Sequence, residues 1–308
     1  MLLSQPATRF TPGRRTAVLT AGVLALRPYQ WVKNLLVLVP LITSHEITDL
    51  DQVWRALIAF ASFCMCASGT YVFNDLLDVA ADRQHPRKRH RPFAAGTLPM
   101  AAGPVLIVGT LTVAFLAAWQ LSAPGFVPTL LLYAAATVAY SLRLKKEPVL
   151  DVILLAGLYA LRVFAGAIAV GVQLSAWLMA FASFLFLSLA FMKRFSELKA
   201  AGERTDPLAG RGYRPDDVGW VQSAGLASGY VAVLVLALYV NSGDVAMLYE
   251  RPRALWLLCP AVLYWITRTW FRAHRGAIDD DPIVGAASDP MSYVLAVAVG
   301  LVLVRATV

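Results

Sequence analysis

The stretch Asn74-Asp75-Leu76-Leu77-Asp78-Val79-Ala80-Ala81-Asp82-Arg83 ends a long apolar run and leads into a basic loop. If a helix continues through it, Asp75, Asp78 and Asp82 are spaced i, i+3 and i+7 and share one face. Asn74 then lies one turn from Asp78. Carboxylates held so close repel one another, so the pattern predicts a divalent cation among them. Mg²⁺ bound by carboxylates usually completes its coordination with phosphate oxygens of a substrate, so the expected ligand is a diphosphate.

A cluster of cations follows directly in the chain. Its members are Arg83, Arg87, Lys88, Arg89 and Arg91. Guanidinium and ammonium groups suit the phosphate oxygens that a metal leaves uncovered. The alternative is an ordinary solvated helix end with basic flanking residues, but that alternative does not require carboxylates on one face. We therefore predict Asp75, Asp78 and Asp82 as the catalytic metal ligands, with Asn74 assisting.

The composition indicates which kind of protein carries this stretch. The chain has 308 residues, of which 58% are hydrophobic and 15% are charged, and its mean hydropathy is +0.62. So much apolar surface predicts an all-α, polytopic membrane protein. The net charge of +8 lies between apolar spans, which excludes nucleic acid as the expected partner. The three cysteines all lie inside apolar runs, so neither a disulfide framework nor a cysteine metal site is expected.

A transmembrane helix needs about 20 mostly apolar residues. On this criterion we predict nine spans, near residues 29–45, 52–77, 99–120, 125–142, 148–170, 174–196, 216–240, 254–272 and 288–306. Most lysines and arginines precede the first span or lie in every second connection, which predicts a cytoplasmic N-terminus by the positive-inside rule. Residues 1–26 are then a cytoplasmic tail and no cleaved signal peptide. Residues 27–308 form one catalytic domain, with cytoplasmic loops at 78–98, 143–147 and 197–215.

Polar residues within the spans are the informative exceptions. Arg162 lies deep in the fifth span, where a cation costs about 2.5–3.5 kcal/mol unless it faces a polar cavity or an anion. Tyr159 precedes it by three residues and shares its face. A purely structural pairing of Arg162 is the alternative. Lys33 and Asn34 lie at the inner end of the first span, on the same side of the membrane as the aspartates, although snorkelling alone would also explain Lys33.

Two further polar clusters lie on the same predicted side of the membrane. The first combines Tyr140, Arg143 and Lys145 with Asp151. The second is Lys193-Arg194-Phe195-Ser196-Glu197 at the end of the sixth span. Basic residues also suit a helix C-terminus, and Lys193 and Glu197 are an ordinary i, i+4 pair, so each cluster alone is ambiguous. Their shared side of the membrane favours a site.

The motif Asn74-Asp75-x-x-Asp78-x-x-x-Asp82, placed at the end of the second of nine spans, resembles the first aspartate-rich motif of the UbiA superfamily of intramembrane prenyltransferases. The resemblance implies a nine-helix UbiA-like bundle that binds a diphosphate through Mg²⁺. In the aromatic prenyltransferase branch, a second Asp-x-x-x-Asp motif after the sixth span binds a second Mg²⁺. This sequence has residues 193–197 there, without the aspartate pair, which argues against a prenyl diphosphate donor.

Four segments together resemble the decaprenyl-phosphate phosphoribosyltransferase branch: 27–34, 74–92, 140–145 and 193–198. The resemblance implies transfer of 5-phosphoribose from phosphoribosyl pyrophosphate (PRPP) to a polyprenyl (decaprenyl) monophosphate, for the cell-wall arabinan of arabinogalactan. The location implied is the bacterial plasma membrane, with the site facing the cytoplasm. The residues then assigned to substrate phosphates are Lys33, Arg83, Lys88, Arg91, Arg143, Lys145, Arg162, Lys193 and Arg194. Those assigned to the ribose or to supporting contacts are Asn34, Tyr140, Asp151, Tyr159 and Glu197.

Two other classes of function remain open from the sequence. One is a UbiA-type prenyltransferase that moves a prenyl group from a prenyl diphosphate to an aromatic or other small acceptor. The other is a lipid-phosphate carrier, which would need polar groups on both sides of the membrane midplane; the outer half of the predicted spans has few. The apolar outer surfaces also permit a homo-oligomer.

Overall fold

The computed structural model describes residues 14–44, 46–84, 87–201, 211–278 and 281–307, and within these ranges every regular secondary structure element is a helix. The α-helices are α1 (Arg14–Ala25), α2 (Val39–Thr43), α3 (Leu50–Gln84), α4 (Ala102–Gln120), α5 (Phe126–Leu142), α6 (Leu150–Val170), α7 (Ala176–Ala201), α8 (Val218–Val240), α9 (Gly243–Leu248), α10 (Leu258–His274), α11 (Pro282–Ala287) and α12 (Pro290–Thr307). The 3₁₀ helices are Pro28–Leu38, Lys88–His90, Leu144–Lys146, Pro215–Asp217 and Pro252–Leu257.

Six helices of the described part are long and apolar enough to cross a membrane: α3, α4, α6, α7, α8 with the turn before it, and α12. They coincide with six of the nine predicted spans, so the chain is a multi-span membrane protein. The other three predicted spans fall on shorter elements, since α5 and α10 have 17 residues each. The count of nine crossings and the orientation of the N-terminus stay predictions. Residues 14–25, which we placed in a tail, form α1.

The predicted first span differs from a continuous α-helix. Residues 28–38 form a 3₁₀ helix that precedes the five-residue α2. Pro28 and Pro40 lack a backbone N–H and each lies at the start of one of these elements. Helix α6 also restricts the segment, because a Cβ built on Gly166 would lie 2.0 Å from the carbonyl oxygen of Val37. The 3₁₀ helix therefore lies directly on the backbone of α6.

We expect Gly166→Ala to lower the free energy of unfolding by about 1–3 kcal/mol, because the added methyl group has to push the 3₁₀ helix away from α6. Chemical denaturation in mixed micelles measures this change. Gly157→Ala on the same helix is the matched control, since a Cβ at Gly157 meets nothing within 4 Å. Equal stability of the two variants would show that this close approach is not required.

Helix α6 lies at the centre of the bundle and contributes to both large hydrophobic clusters. One cluster packs α6 on α7, α8 and α10 and includes Tyr159, Phe186 and Trp270. The other packs α6 on α3, α4 and α5 and includes Phe63 and Tyr133. The C-terminal ends of α3, α5 and α7 and the N-terminal ends of α6 and α8 meet at one end of this bundle, which we call the site end. Asp75, Asp78 and Asp82 of α3 and Asp151 of α6 lie at this end.

Candidate functional site

Helix α3 continues unbroken through Asp82, as the spacing of the aspartates predicts. The Asp75 and Asp82 side chains are buried, whereas the Asp78 side chain is 31% exposed. Each of the three carboxylates is paired with a cation from another part of the chain. The sequence therefore placed the carboxylates correctly on one helix, and the tertiary structure supplies their counter-ions.

Asp75 and Asp82 share a single guanidinium nitrogen. Arg91 Nη1 donates to Asp75 Oδ1 at 3.1 Å and to Asp82 Oδ2 at 2.7 Å. Arg27 also donates to Asp75 Oδ1, and its guanidinium lies 5.3 Å from the centre of the Tyr71 ring. The two carboxylates therefore share one guanidinium nitrogen, so they lie close enough together to hold one cation between them.

Asp78 faces the turn between α5 and α6. Lys145 Nζ lies 3.0 Å from both carboxylate oxygens of Asp78. Asn74 Nδ2 donates to Asp78 Oδ2 at 3.1 Å, one helical turn away. Lys145 and Asn74 were both predicted as site residues, and the structure brings them to the same carboxylate.

A second cluster joins the ends of α6 and α7. The Asp151 and Arg194 side chains have no exposed surface, and Arg194 Nη2 lies 2.7 Å from Asp151 Oδ2 as an ion pair without hydrogen-bond alignment. Arg194 Nη1 donates to Glu197. The guanidinium is therefore neutralised by two carboxylates in this state.

Tyr213 and Arg211 attach a loop segment to this second cluster. The Tyr213 hydroxyl accepts from the Val149 N–H at 2.8 Å and donates to Asp151 Oδ1 at 2.8 Å. Burial raises the pKa of this hydroxyl, so it remains a protonated donor at neutral pH. Arg211 Nη1 donates to the Tyr140 hydroxyl at 2.6 Å.

A third contact joins the 3₁₀ helix to α11. Lys33 donates to Asp281, and both side chains are largely buried. Burial alone would raise the pKa of the Asp281 carboxyl, but the ammonium groups of Lys33 and Lys193 outweigh it and hold that pKa below its usual range. Asp281 Oδ1 also accepts from the Ile283 N–H at 3.2 Å, which caps α11.

Arg162 is buried, with three protein partners. Its Nε donates to Asn34 Oδ1 at 2.9 Å, its Nη1 to the Leu158 carbonyl at 2.6 Å, and its Nη2 to the Tyr133 hydroxyl at 2.8 Å. The Tyr159 ring centre lies 5.5 Å from the guanidinium carbon. Arg162 therefore links the 3₁₀ helix to α5 and α6. This is the purely structural pairing that the sequence left as the alternative to phosphate binding.

The remaining predicted residues lie around these clusters. Arg83 Nε donates to the Ala94 carbonyl at 3.3 Å, and Arg143 is exposed. Burial, together with the charge of Arg91, lowers the pKa of Lys88, so its surroundings would favour an added anion. Lys193 is half-buried and within electrostatic reach of Glu197 and Asp281.

The carboxylate oxygens of Asp75 and Asp82 are suitable ligands for Mg²⁺. No ready-made group of three acidic, histidine or cysteine side chains occurs in the described ranges. Mg²⁺, however, is usually held by one or two carboxylates plus substrate phosphates. Asp75 Oδ2 is buried without a hydrogen-bond partner, and the other oxygen of Asp75 already shares a cationic nitrogen with Asp82. Asp75 and Asp82 therefore fit a metal ion that arrives with a phosphorylated substrate.

Five residues described here were not among the predicted site residues: Arg27, Tyr133, Arg211, Tyr213 and Asp281. Arg27 and Arg211 had an ordinary interpretation as basic residues at a membrane boundary. Asp281 carried a usable signal, because an aspartate directly before a proline is a typical helix N-cap. Tyr213 lies in a loop, and no local pattern marks its contact with Asp151.

A helical membrane bundle that gathers carboxylates and cations at one end defines a class of membrane-embedded enzymes for phosphorylated substrates. The UbiA prenyltransferase family profile matches residues 35–285, and the chain belongs to this family of transferases. The structure resembles a UbiA homolog from Archaeoglobus fulgidus bound to DMAPP and Mg²⁺, with a TM-score of 0.68, 18% identity, and coverage of 92% of this chain and 96% of that one. The resemblance to the superfamily drawn from the aspartate motif is confirmed.

Two relatives match most of both chains. Nodulation protein NoeC from Azorhizobium caulinodans is 38% identical over 90% of this chain and 91% of its own length. Decaprenyl-phosphate phosphoribosyltransferase from Mycolicibacterium smegmatis is 32% identical over 92% of this chain and 89% of its own length. A third relative, protein y4nM from Sinorhizobium fredii, is 35% identical over 91% of this chain, but the match spans only 55% of that longer protein.

Proposed function

We propose that the protein transfers 5-phosphoribose from PRPP to a polyprenyl monophosphate, decaprenyl phosphate in the first instance, and releases pyrophosphate. One observation carries this choice within the family. Arg194 lies between Asp151 and Glu197 at the end of α7, the place where the aromatic prenyltransferase branch would hold a second metal ion. The guanidinium already occupies both carboxylates there, so they are not free to hold a second metal ion. The similarity to the Mycolicibacterium smegmatis phosphoribosyltransferase supports the same choice.

In this proposal Asp75 and Asp82 hold Mg²⁺, with Asp78 and Asn74 beside them. When bound, the metal polarises the pyrophosphate and makes it a better leaving group. Arg27, Arg91 and Lys145, which now pair with the aspartates, are close enough to move onto phosphate oxygens when substrate arrives.

The remaining proposed phosphate ligands are those predicted from the sequence other than Arg162, and they include Lys33, Lys88 and Lys193. Arg162 keeps Asn34 and Tyr133 in position through its three hydrogen bonds.

The proposed chemistry exchanges one bond at C1 of the ribose. The bond from C1 to the pyrophosphate oxygen breaks, with its electron pair leaving on pyrophosphate, and a lipid phosphate oxygen forms the new bond to C1. This oxygen is already anionic at pH 7, so it needs no general base. The main task of the protein is therefore to position two highly charged substrates, which explains the number of cations at the site end.

The proposal predicts that ribose-labelled PRPP passes its label to organic-extractable lipid when purified protein, decaprenyl monophosphate and Mg²⁺ are mixed. A chelator is expected to abolish the transfer, and added Mg²⁺ to restore it. Omission of the lipid phosphate is the matched control and should leave all label in the aqueous phase. Absence of transfer under conditions where the protein consumes a prenyl diphosphate would refute the proposal.

That outcome would favour the alternative, transfer of a prenyl group from a prenyl diphosphate to an aromatic or other small acceptor. The fold shared with a homolog bound to DMAPP and Mg²⁺ is the observation that favours it. For the first function we further propose a cytoplasmic site in a bacterial plasma membrane, where PRPP is available, with the product serving cell-wall arabinogalactan synthesis.

A further inference from the structure

A loop segment is attached to the second cluster through one tyrosine. Tyr213 is 2% exposed, and its hydroxyl bridges the Val149 N–H and Asp151 Oδ1, at 2.8 Å each. Asp151 in turn pairs with the buried Arg194. One hydroxyl group thus connects the segment 211–214 to the N-terminal end of α6 and, through Asp151, to α7.

The backbone of the same segment lies against the turn that precedes α6. A Cβ built on Gly212 would lie 2.4 Å from the Lys146 carbonyl oxygen and 2.6 Å from Pro148 Cδ. A flexible side chain could rotate away from such a methyl group, but a backbone carbonyl and a proline ring can move only if the backbone shifts. Position 212 therefore accepts only glycine while the segment remains docked.

This docking places Arg211 at the rim of the candidate site. Its guanidinium lies 5.6 Å from the centre of the Tyr140 ring, and its Nη1 lies 2.6 Å from the Tyr140 hydroxyl and 4.0 Å from Asp151 Oδ2. The side chain is 17% exposed. Arg211 Nη1 also donates to the Lys145 carbonyl at 3.4 Å. Arg211 therefore lies beside Lys145, whose side chain pairs with Asp78.

We propose that Gly212 and Tyr213 form a clamp that holds Arg211 as a further phosphate-binding residue, selective for the water-soluble substrate. Tyr213 is a positioning residue in this scheme, since it acts through Arg211 and Asp151. The selectivity rests on the proposed function, whereas the docking does not. A cation at the polar rim of the site serves a soluble phosphate ester, while the lipid phosphate approaches from the membrane.

The first test measures substrate binding. Arg211→Gln is expected to weaken binding of PRPP about tenfold, which corresponds to about 1.4 kcal/mol, and to leave the KM for polyprenyl phosphate within about twofold. Gly212→Ala and Tyr213→Phe should reproduce this pattern. The matched controls are Gly219→Ala, where an added Cβ meets nothing within 4 Å, and Tyr230→Phe, whose side chain is 43% exposed.

The second test measures the clamp without any substrate. Hydrogen exchange of the Val149 amide should accelerate at least tenfold in Tyr213→Phe, because that variant removes its acceptor. The Asp151 amide, which donates to the Glu147 carbonyl at 3.1 Å, serves as the internal reference and should not change. Arg211→Gln should leave both amides unchanged, which separates the positioning role from the binding role.

Either of two results would contradict the proposed clamp. An unchanged Val149 amide in Tyr213→Phe, or equal losses for PRPP and polyprenyl phosphate in the three variants, would overturn the inference. Inorganic pyrophosphate with Mg²⁺ is the probe that does not depend on the reaction. If the wild-type protein transfers no phosphoribose but binds pyrophosphate with the same dependence on Arg211 and Tyr213, the clamp stands and only the proposed function fails.

Discussion

Replacing Asp78 by asparagine is expected to lower the transfer rate by about 10³-fold, or about 4 kcal/mol of transition-state stabilisation. The change keeps the size of the side chain and removes the negative charge that faces Lys145 and the proposed metal. Because this carboxylate is 31% exposed, the bundle does not depend on it for packing. Initial rates at saturating substrates, measured on purified protein over a series of Mg²⁺ concentrations, give the size of the effect.

Asp51→Asn is the matched control for this prediction. Asp51 lies in the first turn of the same helix and is exposed at the end remote from the site. Its variant should retain nearly the wild-type rate. If Asp78→Asn instead removed the protein from the membrane fraction, the carboxylate would be structural, and its assignment to the metal site would be wrong.

Replacing Arg194 by methionine is expected to lower the free energy of unfolding by about 3–5 kcal/mol, because it leaves Asp151 and Glu197 without their shared partner in a buried place. Denaturation in mixed micelles measures the loss. Asp151→Asn in the same background should recover part of it, since asparagine carries no charge and retains an oxygen that can accept from Tyr213. The recovery gives the coupling between the two side chains.

Arg268→Met provides the comparison for the buried pair. Arg268 also pairs with an aspartate, Asp289, but its side chain is 30% exposed and Arg272 shares the same carboxylate. Its loss should cost at most about 1 kcal/mol, as for exposed ion pairs. Equal costs for the two arginines would mean that the Arg194 cluster is solvated, and Arg194 would then not be the group that occupies both carboxylates.

Much of the fold follows from local patterns in the sequence. Long apolar runs predicted six helices that the structure contains, and the aspartate spacing correctly predicted a helix that continues through Asp82. The first predicted span was wrong in its type of helix. Proline at 28 and 40 was visible in the sequence, but the close approach of Val37 to Gly166 on a distant helix was not.

The sequence by itself determined the membrane class, the family and the carboxylates that share a face of α3. It could do so because helical periodicity, hydropathy and motif spacing are properties of neighbouring residues. Only the tertiary structure decided which cation meets which carboxylate. Arg27 reaches Asp75 across 48 positions, Tyr213 reaches Asp151 across 62, and Lys33 reaches Asp281 across 248. Burial makes an unpaired charge costly, so these pairs form wherever packing brings opposite charges together, and no local pattern encodes that choice.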